Sequence, residues 1–142
     1  MKEDDIVDSV PMVSLAEQRR FVFEQSNKIA IKQLNDNANA PIAEALIDFN
    51  EQDYSHTHLL EKQAGYEPPH EDLVKYYCDQ LKAFDSSYTQ KEIAREILGI
   101  NDRRLREYIQ GKHKVPFELW RKILIATGRA PQEIQPVIAY CE

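Results

Sequence analysis

Between Thr89 and Lys114 the chain places cations and amide side chains at spacings that suit contact with a polyanion. Asn101, Asp102, Arg103, Arg106, Glu107 and Gln110 share one side of a helix predicted over about 102–110. Leu105, Tyr108 and Ile109, three to four residues apart, mark its inward side. Charged and amide groups in that register reach the donors and acceptors on base edges. The loop that follows, Lys112-His113-Lys114, is a basic patch suited to a phosphate backbone. No catalytic chemistry competes with this reading. There is no Gly-rich phosphate loop, no nucleophile motif, and no pair of acids in an apolar surround that would tune one of them. Asp53-x-x-His56 is too loose to act as a dyad. His56-x-His58 reads as a solvated turn, with no Cys or acid spacing to complete a metal tetrahedron. The sequence therefore predicts a non-enzyme without cofactor or metal.

The elements that must position these residues follow from caps and breakers. Thr89 with Glu92 is a capping box at the start of one helix, whose buried side holds Ile93, Ala94 and Ile97. Gly99 supplies the positive φ of a tight turn, and Ile100 tucks into the core behind it. Asn101 or Asp102 caps the next helix, and Gly111 ends it. Upstream, Leu73, Val74, Tyr77, Leu81 and Phe84 mark a helix of about four turns. Downstream, Pro116 and Pro131 start two more. Trp120 falls beside Phe117 and Leu119 on an amphipathic helix and reads as core. Tyr76-Tyr77-Cys78 reads as packing rather than as a redox or aromatic site.

The segment Thr89–Gly111 resembles the helix-turn-helix of the lambda-repressor-like (Cro/C1, XRE-type) family. Thr89-Gln90, Ile93-Ala94, Gly99-Ile100, Leu105, Tyr108, Ile109 and Gly111 carry the resemblance. Val115-Pro116, Leu119-Trp120 and Ile123-Leu124 look like the family's fourth helix. The match covers about half the chain, roughly Pro69 to Tyr140, with five helices. It departs from the family pattern in one spacing. The turn glycine usually stands four residues after the small residue of the first helix, but Ala94 and Gly99 are five apart. The first helix is therefore one residue longer or locally bulged.

The resemblance implies that helix 102–110 enters the major groove while the helix before it crosses the backbone. Gln90 and the amides at Thr89 would then hold a phosphate at a helix N-terminus. Arg103 or Arg106 would pair bidentately with guanine, an interaction worth about 1–3 kcal/mol of discrimination. Lys112, Lys114 and Arg104 would position the domain on phosphates without reading sequence. Asn101, Asp102, Glu107 and Gln110 would face bases. It further implies a transcription regulator of the repressor type, homodimeric on double-stranded DNA at a pseudo-palindromic operator.

Charge is distributed to match. The chain of 142 residues carries a net −6 at 42% hydrophobic content. Residues 87–129 hold ten bases and five acids, whereas residues 1–86 hold eight bases and seventeen acids. The sign asymmetry matters more than the total. Residues 1–13 read as a flexible acidic leader, with four acids and one Lys among the first eight. That start is the wrong sign for a secretory signal, and no stretch approaches a membrane span, so a cytoplasmic protein is expected. Cys78 and Cys141 show no pairing pattern and are expected to be reduced thiols.

Residues 14–65 form a helical appendage in this reading, for dimerisation or partner binding, ahead of the DNA-binding domain 66–142. Ser14 and Glu17 make a capping box for a helix from about Leu15 to Leu34 that the Asn35–Asn39 run should stop. A second helix is expected from Pro41 through Phe49, and a third from Ser55 to Ala64 with Gly65 as its cap. Tyr66-Glu67-Pro68-Pro69 is the domain boundary. The competing reading is an interaction module, antitoxin-like or an inhibitor. There the acidic N-terminal half binds a partner, and DNA contact is autoregulatory or absent.

Overall fold

A computed structural model of the chain describes residues 13–142, and among these the fold is all-helical, with five α-helices and no strand. No helix is long and apolar enough to cross a membrane among the described residues. The chain separates into two compact units, one of residues 13–41 with Ile134–Glu142, the other Ile42–Glu133.

The first unit is built on α1 (Leu15–Ala38). Ser14 caps it, its hydroxyl accepting from the Glu17 amide at 3.1 Å. The helix runs four residues past its predicted stop. Its final asparagines satisfy the helix rather than compete with it: the Asn39 amide side chain donates to the Asn35 carbonyl at 3.0 Å, and Gln33 donates to Asn37 Oδ1 at 2.9 Å. One of the orphan carbonyls of the last turn thereby finds a partner. None of the helix is buried. The C-terminal strip packs on it, with Tyr140 edge-on to Phe23 at 5.7 Å and under the Arg20 guanidinium at 5.4 Å.

The second unit holds the core. Its helices are α2 (Glu71–Phe84), α3 (Gln90–Glu92, continuing as a π-helical turn over Ile93–Leu98), α4 (Asp102–Ile109) and α5 (Phe117–Ala126). Leu73, Val74, Tyr77, Ile93, Leu105 and Leu124 are among its fully or nearly fully buried side chains. Trp120 is also buried, and its indole stacks on the Tyr77 ring at 5.2 Å and 10°. Cys78 is buried and free, and burial pushes its thiol up to about 12, which leaves it protonated and inert.

Three expectations are corrected here. The helix predicted from Pro41 to Phe49 does not form; the segment is irregular with one turn at Ile47–Asp48. Leu46 and Phe49 reach the core by separate anchors, and the Leu46 amide donates to Tyr76 Oη at 3.3 Å instead of to a helical carbonyl. So short an apolar stripe cannot nucleate a helix against such contacts. The helix expected over Ser55–Ala64 is instead two 3₁₀ turns, Thr57–Leu59 and Lys62–Ala64, with Gly65 at φ 107° closing the second.

The helix expected from Pro131 is also absent, since residues 131–142 carry no helix. Gly128 ends α5 at φ 70°, and the amides of Arg129 and Ala130 both return to the Leu124 carbonyl. Pro136 would have removed a bond and clashed inside any helix begun at Pro131.

His58 is a further correction, because it is 3% exposed rather than solvated. Its Nδ1 accepts from the Trp120 indole N–H at 3.1 Å, and burial holds its pKa down to about 4. The unfolded chain protonates this group near 6.5, so its neutral form favours folding in full above that pH. That contribution is lost as pH falls from about 6.5 towards 4, and reaches roughly 3 kcal/mol. The Tm of the native protein is expected to fall more steeply between about pH 7 and about pH 5 than that of His58→Gln, which keeps an acceptor but cannot protonate. Parallel losses in thermal melts of the two proteins would refute the assignment.

Candidate nucleic-acid interface

The exposed side of α4 is set by what lies beneath it. Leu105 and Tyr108 are 1% and 3% exposed, and they fix the rotation of the helix against α2 and α3. Of the two cap candidates, Asn101 caps α4, its Oδ1 accepting from the Arg104 amide at 2.8 Å. With Asn101 as cap, Asp102 is the first helical residue. Asn101, Asp102, Arg103, Arg104, Arg106 and Gln110 are all exposed, and Glu107 is half-buried. The loop residues Lys112, His113 and Lys114 are exposed beyond the helix end.

The corner before α4 resolves the odd spacing between Ala94 and Gly99. The five-residue step is spanned by the π-helical turn Ile93–Leu98, in which the Gly99 amide bonds the Ala94 carbonyl five residues back. The Ile100 amide bonds the same carbonyl at 2.9 Å. Gly99 then turns the chain at φ 67°, in the left-handed region that L side chains avoid. Inserting one residue as a π-turn is the usual way a helix takes it up. Ile93 and Ala94 are buried as expected, but Leu98 is buried with them while Ile97, expected on the buried side, is only partly so. Gly111 likewise turns the chain at φ 77°.

Electrostatically the face is a lattice of short-range pairs. Glu107 is its centre, with the Arg103 and Arg104 guanidinium nitrogens 3.3 and 3.9 Å from its carboxylate and the His113 Nε2 at 2.9 Å. Arg106 pairs with Asp102 at 3.6 Å. Arg104 also folds back over the Tyr108 ring at 5.2 Å, its Nε donating to Tyr108 Oη at 3.1 Å. Asp102 and Glu107, read from sequence as base-facing groups, thus act first as partners of the arginines.

At the other expected phosphate position the Thr89 amide is engaged, donating to the Ser87 carbonyl at 3.0 Å, and the Thr89 hydroxyl accepts from Glu92. Gln90 is exposed in the first turn of α3, which packs against α4. His113 belongs to the site through Glu107. No helical spacing pointed to that pair, because α4 ends between the two residues.

Neither the family models, the curated proteins nor the solved structures yield a match to this chain. Among the described residues no group of three or more His, Cys, Asp and Glu side chains is arranged to hold a metal ion.

Two arginines beside one carboxylate make Glu107 the main restraint on the positive potential of this face. Glu107→Gln is expected to elute from a phosphocellulose column at higher salt than the native protein, with an unchanged circular dichroism spectrum. Equal elution would mean that Glu107 does not hold these cations in solution.

Proposed function

We propose that the protein is a sequence-specific regulator of transcription, of the lambda-repressor-like helix-turn-helix kind, that reads the major groove of double-stranded DNA with α4. The observation that carries this reading is the exposed row of Asn101, Arg103, Arg106 and Gln110 on a helix backed by buried Leu105 and Tyr108. A major groove about 12 Å wide admits such a helix. The acid partners of the arginines do not block this use. Exposed pairs four residues apart on a helix contribute about 0.3–0.5 kcal/mol, against about 1–3 kcal/mol for a bidentate guanine contact. The arginines therefore exchange carboxylate for base at little cost. Lys112 and Lys114 serve phosphates in this reading, as does the outer edge of Arg104. Repression is the direction of regulation that fits a module of this kind.

The protein acts as a homodimer on a pseudo-palindromic site in this proposal, with α1 as the contact. Leu15, Val22 and Ile29 stand one heptad apart on α1 and are 50%, 64% and 72% exposed. That row offers one exposed apolar residue per heptad to a second helix. A second reading is an interaction module for which DNA contact is secondary or absent. It is favoured by the ten acids against three bases between residues 42 and 86.

Binding to duplex DNA carrying the upstream region of its own gene separates the two, read by fluorescence anisotropy across a salt series. The regulator binds one sequence well above competitor DNA, with an affinity that falls steeply as salt rises. No binding even at low salt would remove the DNA reading. Arg103→Ala with Arg106→Ala is expected to abolish preference for that sequence while leaving the fold intact by circular dichroism. Preference retained in the double variant would show that α4 is not the reading helix. Val22→Glu with Ile29→Glu is expected to convert the protein to a monomer in sedimentation velocity, and a dimer that survives both changes does not use this row.

A further inference from the structure

A groove of about 1010 Å³ lies between the irregular segment 42–49 and α2, within the unit Ile42–Glu133. An aromatic stack lines it. Phe49 is near-parallel to both Tyr54 and Tyr76, at centroid distances of 5.2 and 4.2 Å. The segment is pinned at two points, through the Leu46 amide on Tyr76 Oη and through Gln80, whose side chain donates to the Glu44 carbonyl at 3.0 Å. Four carboxylates also line the groove, from Glu44, Asp48, Asp72 and Asp79, against one cation, Lys75. Lys75 is already held by Asp79 at 2.6 Å.

We infer that this groove docks a basic peptide segment of a partner protein, one that carries a large apolar side chain among its Lys or Arg residues. The volume is at the upper end of that found for ligand clefts, about 300–1,000 Å³. Ile42 and Ile47 on the segment are 93% and 98% exposed, and Phe84 beside them is 49% exposed. Single exposed apolar residues are ordinary, but several around one concave surface with a charged rim mark an interaction site. The net −3 of the lining side chains selects the sign of the occupant. The chain's own first eight residues carry four acids and one Lys and have the wrong sign. A second copy meeting the groove by two-fold symmetry would set the same carboxylates against themselves. A basic segment neutralises the rim while its apolar side chain covers Ile42, Ile47 and the aromatic wall. None of this uses α4, so the inference stands apart from the DNA reading.

The full-length protein, immobilised, is panned against a display library of random peptides. Recovered sequences are expected to be enriched in Lys and Arg beside Leu, Ile, Phe or Trp. A synthetic copy of the dominant sequence is expected to lose about tenfold or more in affinity for Ile47→Ser with Asp48→Lys. Both of those positions are exposed, so the variant keeps its melting temperature. Arg103→Ala with Arg106→Ala is expected to leave the affinity unchanged. The inference is overturned if the recovered peptides are acidic or lack charge bias, or if the groove variant binds as well as the native protein. It is also overturned if a peptide of the same charge without its apolar residues binds equally. Self-association abolished by the groove variant would name a second copy as occupant and overturn it too.

Discussion

The stack of Trp120 on Tyr77 is the contact on which the unit Ile42–Glu133 is assembled. It joins α5 to α2, and the indole N–H binds His58 on a segment some sixty residues earlier in the chain. Arg129 closes the other side of Tyr77, its guanidinium 3.7 Å from the ring centroid and paired with Glu51 at 3.6 Å. A flat aromatic pair with both faces used has few alternative packings. Three separate stretches of chain are thereby held in one register. Arg121, 6% exposed, repeats the device with charge: it pairs with Glu61 and with Glu133 and lies over Phe117. A buried guanidinium tolerates this position only because carboxylates and a carbonyl meet it.

That register decides what α4 can present. Its helix is short, and its own hydrogen bonds would not hold it in water. Burial of Leu105 and Tyr108 against the core fixes its rotation, so the arginines on the remaining arc are aimed without being packed themselves. The π-turn before Gly99 is part of the same constraint. Ala94 must stay buried for α3 and α4 to pack, and Gly99 must stay at the corner. The five-residue step between them is made as a π-helical turn.

Charge is segregated along the chain as well as balanced within α4. Residues 42–86 carry ten acids and three bases, residues 87–129 the reverse excess. Attraction of opposite charge to either region weakens with salt. The net −6 describes neither region.

The sequence by itself determined the elements whose signals are local. The caps Ser14 and Thr89, the glycine corners at 99 and 111, and the inward Leu105 and Tyr108 all stand where their spacing placed them, and Asn101 is one of the two cap candidates the sequence offered. Each depends on neighbours within a turn or two, so no distant contact is needed to read it. Only the tertiary structure decided how residues 42–66 run. Their apolar residues fit a helical stripe, but Phe49, His58 and Tyr66 are claimed one by one by Tyr76, Trp120 and Val115. The same holds for the Glu107–His113 pair, which no helical period encodes. Pro136 was a local signal against the helix expected from Pro131, and it was decisive. Contacts made across sixty residues of chain outweigh a propensity of a few tenths of a kcal/mol per residue, about the scale on which local preference acts.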